Sequence, residues 1–263
     1  MIQEFSTRLS KRFLRVWMRN LTVYGRSWQI NFLPPFLEPL FYLIAFGVGL
    51  SGLVGKVTYQ GDEISYIRFI APALIGISIM YNAFFETTYT SFVRMYYQKT
   101  FDAIIATPLS LEEVITGEIV WGATKSLVAA TIMMLVVSFF GLVEFPGALA
   151  ILPLACLGGI AFASIGMFFT AMVPRIEIFN LPVFLFVTPM FLFSGTFFPI
   201  ENLPSWAQHV ARAFPLTHTV NLVRSFSLGK LNLSSLWEIG YLCLFILVFF
   251  PVALFGMHKR LIK

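Results

Sequence analysis

Six apolar stretches, residues 30–53, 66–89, 114–140, 148–172, 179–198 and 236–257, account for most of this sequence. Each is long enough for the roughly 20 residues that cross a bilayer core. Lipid offers backbone polar groups no partner, so stretches of this kind cross as helices. The balance of residues agrees: the 263-residue chain is 58% hydrophobic and only 12% charged, with a mean hydropathy of +0.82, whereas soluble domains are about a quarter charged. The apolar runs are unbroken rather than alternating, which excludes a transmembrane barrel. The chain is expected to be an all-α integral membrane protein with six transmembrane helices.

An even number of spans puts both termini on one side, and charge selects the side, because Lys and Arg collect on the cytoplasmic face. With cytoplasmic termini, twelve cations fall inside: six before the first span, then Arg94, Lys99, Arg175, Lys259, Arg260 and Lys263. Five fall outside, namely Lys56, Arg68, Arg212, Arg224 and Lys230, and Lys125 lies within a span. This asymmetry accounts for the net charge of +5 without a nucleic-acid partner. The first 29 residues hold Arg8, Lys11, Arg12, Arg15, Arg19 and Arg26 but no continuous apolar core, so they are not read as a cleavable signal. Cys156 and Cys243 fall in apolar stretches, against a disulfide framework or a metal site.

Within residues 1–29, Phe5, Leu9, Phe13, Val16 and Trp17 share one helical face with basic residues around the other. That is the pattern of an amphipathic helix in the membrane interface, serving either as a basic anchor or as a mechanical element. Residues 94–113 form the longest internal cytoplasmic segment. Phe101, Ile104 and Ile105 recur at helical spacing, and Pro108 stops that short helix. Ser110 with Glu113 is a capping box that starts the next helix. By its residues alone, the segment is either a docking surface or a well-built loop.

Catalytic constellations are missing from the sequence. It has two aspartates, Asp62 and Asp102, and no His-Glu-x-x-His or Gly-x-Ser-x-Gly. Residues 117–126 have the glycines of a phosphate-binding loop but the wrong spacing to Lys125, within an apolar helix. If nucleotide energy is used, another chain must bind the nucleotide; no cofactor or metal is expected in this one. Ionisable groups inside spans are costly and usually face a cavity or a partner. Glu38, Tyr42, Tyr81, Asn82, Phe85 and Glu86 are therefore candidates for an amphipathic pathway, against the alternative of ordinary packing and interfacial solvation. Glu118 and Lys125 lie two turns apart on the third span, each able to meet neighbours. Ala155, Gly159 and Ala163 make a small-residue stripe suited to close helix approach.

The stretch 191–220, FLFSGTFFPIENLPSWAQHVARAFPLTHTV, leaves the fifth span at Ser194-Gly195 and passes Pro199, Pro204 and Pro215 before the last span. Together with TFDAIIATPLSLEEVITGEI at 100–119 and the basic N-terminal helix, it resembles the type 2 ATP-binding-cassette export permeases over essentially the whole chain. Within that superfamily the likeness is to the nodulation lipo-oligosaccharide exporter branch. The resemblance implies one permease domain, 1–263, in the bacterial inner membrane, paired as a homodimer above two ATPase subunits that carry the ATP and Mg. It implies a coupling helix at 98–106, with Gln98, Thr100, Phe101, Asp102, Ile104, Ile105 and Pro108 at the ATPase and Phe101 and Asp102 as contacts. It also implies that 194–230 re-enters the outer leaflet as short helices forming a lid, where Trp206 anchors at the interface and His209, Arg212 and His218 meet anionic headgroups. The implied cargo is an amphipathic, lipo-oligosaccharide-like molecule moved outward; a drug-efflux permease shares the architecture, and a scaffold without an ATPase is the other alternative.

Overall fold

The computed structural model describes residues 10–229 and 234–262. Phe5, Arg8 and Leu9 of the N-terminal face, and Lys230 and Lys263 of the charge count, lie outside the described residues. Helix α1, Phe13–Arg26, is followed by α2, Trp28–Ile44, which runs on through a π-helical stretch to Val54. Strands β1, Lys56–Tyr59, and β2, Asp62–Ser65, pair antiparallel. Then come α3, Tyr66–Phe85, short α4, Thr100–Ile105, α5, Leu111–Phe139, and α6, Ile151–Met172. A broken helical stretch from Ile176 ends in α7, Thr188–Phe193, and is followed by α8, Ser205–Arg212, α9, Pro215–Ser227, and α10, Ser234–Leu261.

Six of these helical stretches are long and apolar enough to span: Phe36–Val54, Tyr66–Tyr97, Leu111–Phe139, Gly147–Met172, Ile176–Phe193 and Ser235–Leu261. They match the six expected from hydropathy, with three differences. The second span runs past Tyr89 to Tyr97 through two π-helical turns, Glu86–Thr90 and Val93–Tyr97, closed by Gln98 N–H donating to Val93 O at 2.9 Å. Arg94, read as a loop cation, therefore sits inside a helix, where carboxylates neutralise it. The fifth span stops at Phe193 rather than at 198, because the chain bends at Ser194 and Gly195 takes φ +70°. The β1–β2 hairpin was not anticipated; its Gln60-Gly61 turn has φ of 52° and 87°, the paired positive values of a tight hairpin turn.

The core is built around α3, α5 and α6, with α10 against α6 and α9 against α3. Apolar surface gains little by leaving lipid, so helices in membranes associate by close packing. The small-residue stripe makes that contact: a Cβ on Gly159 would lie 2.1 Å from Ser126 Oγ, and Ala163 meets Gly122. Leu244, Leu247, Val248 and Phe255 on α10 stay exposed, as suits a lipid-facing helix. At its end, Arg260 Nη1 donates to the carbonyls of Thr170 and Val173, the latter at 2.7 Å, capping α6.

Candidate functional site

The α1 end of the bundle is organised by a buried quartet of charges. Arg94 lies between two carboxylates, its Nη1 2.8 Å from Glu86 Oε1 and its Nε donating to Glu118 Oε2 at 2.9 Å. Lys125 donates to the other oxygen of Glu86 at 3.0 Å, and Trp121 Nε1 adds a bond at 2.9 Å. Ser91 donates to Glu118, and Asn20 Nδ2 does so at 2.8 Å. Two cations face two anions with their hydrogen-bonding capacity largely used, the condition under which buried charge is tolerated. Glu86, for which interfacial solvation was the alternative above, and Glu118 are both almost fully buried.

Asn20 belongs to α1, so the quartet also fastens that helix. Trp17 Nε1 donates to Thr124 Oγ1 at 2.9 Å, Ser10 donates to Glu113, and Arg12 Nη1 donates to Pro108 O at 2.7 Å. Gly117 permits the approach: a Cβ there would lie 2.6 Å from Val16 Cβ. Burial, followed by the charge of Glu86, raises the Tyr24 phenol, and burial, followed by Arg94, lowers the Arg19 guanidinium. The amphipathic helix thus packs its apolar side onto α5 and touches the expected coupling segment.

In that segment the capping box is formed: Ser110 N–H donates to Glu113 Oε2 at 2.9 Å and Glu113 N–H to Ser110 Oγ at 3.2 Å. Lys99 starts α4 at φ +53°, a left-handed turn uncommon for a residue with a side chain. The two residues expected as contacts part ways. Phe101 has 0% exposure and is packed in the core, so it anchors α4 and presents no surface; Asp102 is exposed, 3.7 Å from Lys99. Gln98, Ile105 and Pro108 are exposed, and Thr100 and Ile104 half-buried. Tyr96 and Tyr97, exposed beside them within the same cytoplasmic segment, were missed because no charge or helical spacing marked them.

The six candidate pathway residues come together. Glu38, Tyr81, Asn82, Phe85 and Glu86 line one cavity of about 380 Å³ with Lys125, and Glu38 and Tyr42 line a neighbouring crevice. Tyr81 stacks on Phe85 at 5.5 Å. Glu86 and Lys125 therefore belong to both the quartet and the cavity wall.

At the opposite end, Trp206 and Arg212 are exposed, as is His209, whose Nδ1 meets Ser205 O at 2.7 Å. His218 departs from the headgroup-facing role. It is buried, with Nδ1 on the Glu238 carboxylate, Nε2 2.8 Å from Arg212 O and its ring stacked on Tyr241 at 3.7 Å. Arg224, counted above as a loop cation, is 2% exposed; it lies 3.8 Å from the Phe69 ring and donates to Phe69 O at 3.1 Å and Gly195 O at 2.9 Å. It fastens α9 to α3 and to the bend at Gly195. Among the described residues there is no group of three or more His, Cys, Asp or Glu placed to hold a metal ion.

The ABC-2 type transporter family model matches residues 11–228. Nodulation protein J of Rhizobium leguminosarum bv. viciae is 36% identical over 251 residues, 95% of each chain. That of Rhizobium meliloti (strain 1021) is 35% identical over 249 residues, 95% of this chain and 94% of its own. Inner membrane transport permease YadH of Escherichia coli (strain K12) is 22% identical over 237 residues, 90% of this chain and 91% of its own.

Proposed function

This chain belongs to the ABC-2 type transporter family, and from that premise we propose that it moves an amphipathic, lipo-oligosaccharide-like molecule outward across the bacterial inner membrane, powered by a separate ATPase. It is a multi-pass membrane subunit of a transporter and does not itself supply the catalysis. Two copies pair as a homodimer, two ATPase subunits dock beneath them with the ATP and Mg, and both termini face the cytoplasm. The substrate class is carried over from the resemblance to the nodulation lipo-oligosaccharide exporter branch, and supported by relatives named for nodulation and by a cavity that mixes aromatic rings with charge.

One observation carries the mechanism: Glu86 and Lys125 are shared between the cavity wall and the quartet that holds α1 and the C-terminal part of the second span. A push on α4 and α1 from a closing ATPase dimer reaches the cavity through packed, ion-paired residues rather than a loop. Such a coupled element shifts a two-state bundle between arrangements. Exposed Asp102, Ile105, Tyr96 and Tyr97 offer the ATPase a mixed polar and aromatic surface.

The test is transport in inverted membrane vesicles containing the permease and its ATPase. ATP-dependent accumulation of a fluorescent lipid-linked oligosaccharide, abolished by Asp102→Lys, is the expected result. Accumulation of small lipophilic drugs without the oligosaccharide would make the chain a drug-efflux permease instead.

A further inference from the structure

Helix α1 is packed on one side and bare on the other. Val16 and Asn20 are buried and Phe13, Trp17 and Tyr24 half-buried, on the side that meets α5. Leu14, Met18 and Leu21 recur at spacings of four and three residues, one stripe of the helix, and are 43%, 55% and 41% exposed. Arg15, Arg19 and Arg26 form the next stripe round the helix, with Lys11 on the turn before it; Lys11, Arg15 and Arg26 are exposed. Residues 10–29 contain no carboxylate, and none of the ion pairs among the described residues uses Lys11, Arg15 or Arg26. We propose that this outer face of α1 is a docking surface for anionic phospholipid, and that the bound lipid holds α1 in the position that keeps the ion quartet closed.

Connectivity puts the face within reach of lipid. Only Ser27 separates α1 from α2, and the first span begins at Phe36. The exposed indole of Trp28 marks the junction, and tryptophan collects at the membrane interface. An apolar stripe beside a row of cations fits a bilayer surface, acyl chains against the first and headgroups against the second. The charge then selects the lipid: cations with no acidic neighbour favour an anionic headgroup over a zwitterionic one. The packed side carries the effect inward. Asn20 Nδ2 donates to Glu118 at 2.8 Å, Trp17 Nε1 to Thr124 at 2.9 Å, and the Tyr24 ring meets Trp121 edge-on at 5.5 Å, whose indole N–H reaches Glu86. A ligand that binds only the docked helix stabilises the docked arrangement by mass action.

Placing this lipid in the cytoplasmic leaflet rests on the orientation proposed above; binding and its effect on stability need no ATPase. The experiment reconstitutes the full-length permease in phosphatidylcholine nanodiscs with a rising share of phosphatidylglycerol. It reads the fraction of spin-labelled phosphatidylglycerol and phosphatidylcholine immobilised by the protein, and thermal unfolding. The wild type is expected to immobilise phosphatidylglycerol in preference and to melt at a higher temperature as its share rises. One cation at an anionic surface is worth about fivefold in binding, so Lys11→Gln with Arg15→Gln and Arg26→Gln is expected to lower the preference by about tenfold or more. That variant is expected to melt like the wild type in phosphatidylcholine alone, which shows that it folds. Asn20→Ala with Trp17→Phe is expected to keep the lipid preference and lose the rise in melting temperature. Equal immobilisation of both lipids, a preference unchanged in the triple variant, or full competition by inorganic phosphate would each overturn the docking surface. A rise undiminished in the Asn20 and Trp17 variant would overturn the link to the quartet. Lipid preference in a permease for which no ATPase is found would leave this surface standing and remove the exporter reading, and ATP-driven export with no lipid preference would remove this surface alone.

Discussion

Arg94 neutralises two buried carboxylates at once, so its loss is felt twice. Arg94→Ala leaves Glu86 and Glu118 facing each other's charge with only Lys125 for compensation. Breaking one partner of a buried pair costs about 3–5 kcal/mol. Thermal unfolding in mild detergent is expected to show a large loss of stability for this variant, and a wild-type melting curve would reduce the quartet to an ornament of packing. Glu38 differs, being exposed at the cavities rather than enclosed in ion pairs. Glu38→Gln is expected to leave folding intact and change substrate-stimulated ATP hydrolysis; unchanged hydrolysis and transport would return Glu38 to a structural role. Sequence reading placed Glu86, Glu118 and Lys125 in spans but could not pair them, because Arg94 was read as a loop residue and joins them only through the π-helical extension of the second span, Glu86–Thr90 and Val93–Tyr97. Arg224 escaped for a similar reason: its partners are backbone carbonyls and rings, which leave no charge pattern in the sequence.

Between α1 and α5 the contact depends on one missing side chain. Gly117→Val would drive a methyl-bearing Cβ into Val16 and the Phe13 carbonyl, an overlap of the kind that costs about 1–3 kcal/mol. The variant is expected to release α1, seen as faster labelling of a cysteine introduced at half-buried Phe13, while α3 and α6 stay protected; unchanged labelling would contradict the clamp. Helix periodicity, the capping box and the small-residue stripe were legible in the sequence because each is a local rule. The hairpin at 56–65 was not, since its strands are only four residues each. For α4 the pattern of apolar residues was legible but not its direction: Phe101 faces the core and Asp102 faces out. Phe101→Ala is therefore expected to weaken folding, and Asp102→Lys to spare folding and weaken docking.

Across the whole molecule, one set of contacts runs from the exposed surface of α4 and α1, through the ion quartet, to the cavity that gathers the candidate pathway residues. The opposite end is closed by α8 and α9, fastened through Arg224 and the His218–Glu238 pair. This arrangement suits a membrane subunit that receives force at one end and releases cargo at the other. Six spans and their order were readable from hydropathy, because lipid imposes the length and the satisfaction of every backbone group. The site was readable only as a set of residues, since its geometry depends on which helices meet. The central claim is that force enters from a separate ATPase through α4, and the most direct measurement is purification of the tagged chain from its native membranes in mild detergent, with the partners identified and ATP hydrolysis assayed. The account predicts a Walker-motif ATPase recovered with the wild-type chain and lost from folded Asp102→Lys; recovery of the intact permease with no ATPase and no hydrolysis would contradict it.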